Sequence, residues 1–196
     1  MTRQPSDSRA RILREAARLF RAKGYAGTTM DEVAAAVKRN KATVYHYFAS
    51  KAELLYTIYI ETATIALETI RSFPADMPAD EAVRKLIQTH LEIAAERPNE
   101  TAVYFHEMDW IKEWLPKNLY KDVHAKEATY FAELRALLVR GGEEGLFGNV
   151  DTNAAVHVIA GIVGWASRGT RPEGGPAPAE IGTRLADVVL GGLVRR

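Results

Sequence analysis

The stretch Thr28-Thr29-Met30-Asp31-Glu32-Val33-Ala34-Ala35-Ala36-Val37-Lys38-Arg39-Asn40-Lys41-Ala42-Thr43-Val44-Tyr45-His46-Tyr47-Phe48 decides the reading of this chain. Thr28 and Thr29 stand three residues before Asp31 and Glu32, the spacing of a capping box, so a short helix starts here. Asn40 suits the N-cap of a second short helix, Lys41 to Phe48. Two short helices joined by about four residues fit a helix-turn-helix, whose second helix turns one face to the core and the other to the major groove. Val44 and Phe48, four apart, form the buried edge of that second helix, with Val33 and Leu19 as contacts. Lys41, Ala42, Tyr45 and His46 lie on its other faces and are free to approach DNA. Thr28 or Thr29 at a helix N-terminus offers a hydroxyl and free backbone amides to a phosphate. Lys51, in the first turn of the next helix, is out of place on dipole grounds and makes sense against a phosphate. Tyr47 suits packing between helices as well as it suits DNA, and an exposed recognition-helix residue such as His46 need not be used.

Outward from this stretch the pattern is helical nearly throughout. Ile12, Ala16, Leu19 and Phe20 mark an amphipathic helix from about Ser6 to Lys23, ended by Gly24. Ser50 with Glu53 makes another capping box and opens a long helix through Leu54, Ile58, Ile65 and Ile70, broken by Phe73-Pro74 and Met77-Pro78. Further helices are predicted over Ala79–Glu96, over Glu100 to about Trp114, and over Leu119–Val139, closing on Gly141-Gly142. Asp151 caps a nearly all-round apolar helix to Ser167; Gly169 to Pro178 reads as a loop, and Glu180–Leu193 as the last helix. There is no strand alternation and no repeat. The expected fold is all-α, with about nine helices.

Charge divides the same chain in two. Its net charge of +1 hides a basic head, since residues 1–51 hold 11 Lys/Arg against 4 Asp/Glu, and an acidic body, since residues 52–196 hold 15 against 21. Lysines and arginines gain affinity for a polyanion by displacing its counterions, so the head is expected to meet DNA. A chance excess on a solvated face is the plainer alternative. With no cysteine, disulfides, thiolate zinc sites and cysteine nucleophiles are excluded. No apolar run at the N-terminus reads as a signal peptide, and Ala154–Ala166 is shorter than the roughly 20 residues a membrane span needs, so a cytoplasmic location is expected.

At this point the residues resemble a known family. Ile12-Leu13, Ala16-Ala17, Leu19-Phe20, Gly24-Tyr25, Thr28-Thr29, Val33-Ala34, Thr43-Val44-Tyr45, Tyr47-Phe48, Ser50-Lys51 and Leu54 are similar to the N-terminal signature of TetR-family repressors. The resemblance implies a homodimer of all-helical subunits, whose first three helices bind a palindromic operator and whose C-terminal helices bind a small inducer. It implies a DNA-binding domain over 1–51 and a ligand-binding and dimerisation domain over 52–196. Carried over by position, Thr29, Tyr45 and Lys51 would hold phosphate and Lys41, Ala42 and His46 would approach bases, with Thr28, Arg39, Asn40, Thr43 and Tyr47 beside them. The chain departs from the family in the turn, where Ala-Gly-hydrophobic-Ser-Lys-Gly is usual and Val37-Lys38-Arg39-Asn40-Lys41-Ala42 stands here. Without the turn glycine, Lys38 is expected to take a positive φ at some strain. Arg39 replaces a residue that is usually apolar and packed, which frees it to reach phosphate, and the Ala42 methyl could pack on a thymine methyl.

The body is read less directly. Tyr104, Phe105, Met108 and Trp110, with Tyr130, Phe131 and Trp165 from later helices, have the aromatic character of an apolar ligand cavity, and equally that of any helical core. Val158, Ile162 and Trp165 on one helix and Ile181, Leu185, Val188 and Val189 on the last form matching stripes for a dimer interface, where Gly161 and Gly164 permit close approach. Two subunits would set their recognition helices about one DNA turn apart. The stretch Tyr104–Trp110, Glu143-Glu144-Gly145-Leu146-Phe147, Trp165, Arg171–Pro176 and Val189–Leu193 resemble a TetR subgroup that senses acyl-CoA thioesters and controls fatty-acid or steroid catabolism. That resemblance implies a small apolar or acyl-CoA-type effector that releases a repressor from its operator. Two other functions compete. A helical-bundle enzyme could draw on His106, Glu107, Asp109 and His124, yet the paired Glu-x-x-His pattern, a phosphate loop and a nucleophile motif are absent, and no cofactor or metal is expected. A DNA-binding architectural protein without a ligand would leave two-thirds of the chain to dimerisation alone.

Overall fold

The computed structural model describes residues 5–149, 151–167 and 177–193. They form ten helices in the order α1 (Pro5–Lys23), α2 (Met30–Ala36), α3 (Lys41–Tyr47), α4 (Lys51–Arg71), α5 (Ala79–Glu96), α6 (Pro98–His106), α7 (Ile111–Trp114), α8 (Lys117–Glu143), α9 (Thr152–Ser167) and α10 (Pro178–Leu193). The all-α architecture holds, with ten helices rather than about nine. The difference lies in the aromatic segment, where the chain turns over residues 107–110 and splits the expected single helix into α6 and α7. The predicted loop from Gly169, and the Arg171–Pro176 stretch within it, lie outside the described residues.

Local chemistry explains most boundaries. The Thr29 side chain accepts the Glu32 N–H while Glu32 accepts the Thr29 N–H, so the capping box at α2 is complete. Asn40 Oδ1 accepts the Thr43 N–H at 2.8 Å. At α4, Ser50 Oγ accepts the Glu53 N–H at 3.1 Å, but the Glu53 carboxylate reaches back one residue further, to the Ala49 N–H. Asp151 accepts from Asn153 and Ala154 at the start of α9. Gly141-Gly142 does not close α8; the helix runs on to Glu143, and Gly145 at φ +74° makes the turn. Gly141 serves packing instead, because a Cβ there would lie 2.1 Å from the Phe147 ring.

The chain divides into two compact units. Unit 1 joins residues 1–62 to 99–125, and its core runs from Ile12, Phe20, Val33, Val44 and Phe48 through Leu54, Ile58 and Tyr59 to Val103, Ile111, Leu115 and Val123. The three N-terminal helices therefore share one core with α6, α7 and the start of α8. Unit 2 joins residues 63–98 to 126–196 around Leu86, Ile87, Leu134, Ile159 and Ala186. There α10 lies on α5, tied by Arg84 to Asp187 at 2.6 Å and Gln88 to Thr183 at 3.0 Å. A Cβ at Gly182 would meet the Gln88 backbone at 3.1 Å, so this glycine allows the close approach.

Candidate functional site

The turn between α2 and α3 sets the geometry of the candidate reading head. Val37 caps α2, the Lys38 N–H donates to Ala35 O and the Arg39 N–H to Ala34 O, both at 3.0 Å. This is a Schellman closure, which needs a left-handed residue just beyond the cap. Lys38 fills that place at φ +53°, the only positive-φ non-glycine among the described residues. The turn thus takes its usual form without its usual glycine, and Lys38 carries the strain that the sequence suggested.

From that turn α3 presents its faces as the spacing implied. Val44 and Phe48 are fully buried, and Tyr47 is half-buried against the core of unit 1. Arg39, Asn40, Lys41, Ala42, Tyr45 and His46 are exposed and Thr43 is half-buried. Lys41 pairs with Asp31 in the first turn of α2 at 2.9 Å, and this carboxylate pushes the ammonium pKa up. The Thr43 hydroxyl donates to Asn40 Oδ1 at 2.6 Å.

The two threonines before α2 differ. Thr29 is exposed at the helix start. Thr28 is 1% exposed and its hydroxyl donates to Gly24 O at 2.9 Å, so the side chain faces the protein and secures the loop. Lys51 has a structural reason for its place in α4. Its Nζ donates to Tyr25 O and Thr28 O, both at 2.8 Å, and stands 4.2 Å from the centre of the Tyr25 ring. Partial burial lowers its pKa.

Tyr25 is the knot that the sequence did not disclose. Its ring packs between Phe20 at 5.3 Å and Trp114 at 4.8 Å. Its N–H donates to the buried carboxylate of Glu107 at 2.9 Å, across 82 residues. Glu107 read as a candidate acid in the sequence, because nothing local marks a carboxylate that is spent on a distant backbone amide.

The seven aromatic and apolar residues considered for a ligand cavity divide between the units: Tyr104, Phe105, Met108 and Trp110 fall in unit 1, and Tyr130, Phe131 and Trp165 in unit 2. Tyr104 packs on Tyr59, whose hydroxyl donates to Tyr104 O at 2.8 Å, and on Phe105. Met108 and Trp110 are exposed, with Trp110 stacked over Trp114. Tyr130 packs on Phe131 and on His90. None of the seven lines the cavity of about 190 Å³ in unit 2, which is bounded by Leu138, Val139, Phe147, Ala155 and Leu193. Of the interface candidates, Val158, Trp165 and Val188 are exposed, while Ile162, Ile181 and Leu185 are half-buried. Val189 is buried in the chain's own core, because α10 turns that side toward α5.

Residues 12–57 match the family described as bacterial regulatory proteins, tetR family, and residues 76–193 match the tetracyclin repressor-like C-terminal domain. The chain belongs to the TetR family. It is a DNA-binding transcriptional regulator with the family's ligand-responsive C-terminal domain, and not an enzyme. Among solved TetR structures it is similar to the regulator PfmR from Thermus thermophilus, at 29% identity over 94% of this chain and 99% of that one, with a TM-score of 0.82. It shares its fold with KstR2, a ketosteroid transcriptional regulator of Mycobacterium tuberculosis, at 22% identity, 98% of both chains and a TM-score of 0.82. It shares it also with AibR, solved in complex with isovaleryl coenzyme A and operator DNA, at 23% identity, 92% and 97% coverage and a TM-score of 0.79. No protein with a curated description matches the sequence. Among the described residues no helix is long and apolar enough to cross a membrane.

Proposed function

We propose that this TetR-family regulator is a cytoplasmic homodimeric repressor that leaves a palindromic operator when a small apolar or acyl-CoA-type effector binds. The observation that carries the DNA-reading half is the exposed set on and around α3, held out by a fully buried edge. Residues 1–51 read the operator and 52–196 sense and dimerise. Lys41, Ala42 and His46 approach bases; Thr29, Tyr45 and Arg39 meet phosphate, with Asn40 and Thr43 ordering the helix start. Lys51 retains a third N–H for phosphate while its other two hold the loop. Thr28 and Tyr47 act by positioning.

For the dimer, Val158 and Trp165 on α9 and Val188 on α10 leave large apolar surface in water, with Ile162, Ile181 and Leu185 beside them. A Cβ added at Gly161 would meet nothing within 4 Å among the described residues, so the glycine leaves room for a second helix. Two copies would bring two reading helices to successive major grooves. An acyl-CoA-type effector is supported by AibR, whose structure holds isovaleryl coenzyme A, and an apolar one by KstR2. Effector binding releases DNA only through different affinity for two states, so the same ligand must bind the operator-bound form less well.

Operator selection with the purified protein tests the reading. A two-fold symmetric site should emerge, bound by dimers in light scattering and released by an apolar or acyl-CoA ligand in a gel shift. An asymmetric or random selection, or a monomer at micromolar concentration, would overturn it.

A further inference from the structure

One side chain in unit 2 is at odds with its surroundings. His90 lies on the inner face of α5, in line with Leu86, Ile87 and Ala94, all buried. It is 6% exposed, and neither Nδ1 nor Nε2 has a hydrogen-bond partner among the described residues. Among the described residues it is the one polar or charged side chain buried in that unit. Its neighbour across the core is Tyr130 of α8, with ring centroids 5.7 Å apart and planes at 78°. Tyr130 itself is half-buried.

A buried polar group without a partner is disfavoured against an apolar side chain of similar volume, so each such group needs an explanation. Plain packing does not supply one here, because Leu or Phe would serve that role better. The pair has the make-up of a ligand pocket, mostly apolar lining with a few polar groups that fix orientation. Ile87, Leu91 and Leu134 belong to the apolar core against which Tyr130 and Phe131 pack, and Phe131 lies beside Tyr130. Desolvation keeps both polar groups neutral, lowering His90 to about 4 and raising the Tyr130 phenol above its usual value. They offer donors and one bare ring nitrogen, and among the described residues unit 2 buries no lysine or arginine to meet a carboxylate.

We infer that His90 and Tyr130 form the polar end of the effector site, and that they take an apolar ligand through an uncharged carbonyl, a thioester or a ketone. The inference rests on the ligand-responsive repressor proposed above and names the chemistry its effector must carry. Ligand binding gives the His90 imidazole the partner it lacks among the described residues, and the Tyr130 hydroxyl donates to the same carbonyl.

The test uses the full-length protein with isovaleryl-CoA as the thioester, androst-4-ene-3,17-dione as the ketone and isovalerate as the charged control. Calorimetry gives affinity, and NMR of ¹⁵N-histidine-labelled protein gives the imidazole nitrogens, with His90→Phe to assign them. One carbonyl probe should bind and move the His90 resonances, and which one binds separates thioester from ketone. His90→Phe and Tyr130→Phe should each weaken that probe about tenfold, the loss of one good hydrogen bond. Tyr130→Phe keeps the ring packing, so it remains informative if His90→Phe disturbs the core. Three results would overturn the inference: neither carbonyl probe moves the His90 resonances, both variants bind as tightly as wild type, or isovalerate binds better than either carbonyl. A probe that still releases operator from both variants at unchanged affinity would sink this assignment alone. Failure of the wild type to select any symmetric operator would instead sink the repressor reading.

Discussion

The loop before α2 and the inner face of α5 treat buried polar groups in opposite ways. In the loop every donor and acceptor named above is used: the Tyr25 N–H by Glu107, the Tyr25 and Thr28 carbonyls by Lys51, the Thr28 hydroxyl by Gly24. On α5 the His90 imidazole has no hydrogen-bond partner among the described residues. A satisfied polar network fixes one geometry, which a reading head must hold if α3 is to meet a groove in register. An unsatisfied group keeps free energy available to whatever supplies a partner. The head is built to be finished without its DNA, and the core of unit 2 is not finished without something else.

The largest effect expected from this contrast is on stability against pH. His90 is neutral in the folded chain down to about pH 4, whereas an unfolded histidine protonates below about 6.5. Well above 6.5 neither state binds a proton there and the contribution is constant. As pH falls from 6.5 to 4 the unfolded state takes up the extra proton and stability is lost, by roughly 3 kcal/mol in all at about 1.4 kcal/mol per pH unit. Denaturant unfolding of wild type and His90→Phe across that window isolates the term, since the carboxylates titrate in both. Parallel curves would mean that His90 is partnered or solvated in solution.

Glu107→Ala breaks the other side of the comparison. It leaves the buried Tyr25 N–H without an acceptor, at a cost of about 1–3 kcal/mol, and Glu107→Gln recovers much of it because an amide oxygen still accepts. Operator affinity should fall with the alanine and return with the glutamine. If stability falls while operator affinity does not, the knot at Tyr25 holds the core and leaves the head unaffected.

How legible these regions were in the sequence follows from the same difference. Caps and turns are local, so Thr29 with Glu32, Asn40 with Thr43 and the left-handed Lys38 could be read from spacing alone. The Schellman turn has a fixed backbone whatever residue fills it, which is why a missing glycine announced strain in advance. Contacts across 82 residues leave no such trace, and Glu107 passed for a possible acid. Lys51 looked misplaced because the carbonyls it holds come from residues 23 and 26 positions earlier. His90 drew no attention because a histidine on an apolar stripe reads as ordinary core until its partners are counted. The helix break at residues 107–110 has the same origin: the turn there carries Glu107 toward Tyr25, a tertiary demand that helical periodicity cannot register.

A smaller effect separates reading from folding on α3. Tyr45 is 42% exposed, so Tyr45→Ala should change stability by no more than about 0.5 kcal/mol. It should weaken operator binding by about fivefold per subunit through the hydrogen bond to phosphate that each copy loses. Unchanged gel-shift affinity would remove Tyr45 from the interface.

The smallest effect sharpens the comparison inside the head itself, where one residue is satisfied in hydrogen bonds yet strained in backbone. A left-handed non-glycine costs about 1–2 kcal/mol, and glycine gives back roughly 0.5–1 through its freer unfolded chain. Lys38→Gly should therefore raise stability by up to about 1 kcal/mol, and Lys38→Ala, which keeps the Cβ, should not. Both variants remove the same positive charge. If Lys38 touches phosphate, both should lower the salt slope of operator binding by about 0.9 per subunit, or about 1.8 for the dimer. A gain in stability with glycine alone, beside equal changes in salt slope, would mean that the backbone strain and the charge of Lys38 are separable. The turn would then carry a lysine for its contact with DNA and tolerate the strain as a consequence.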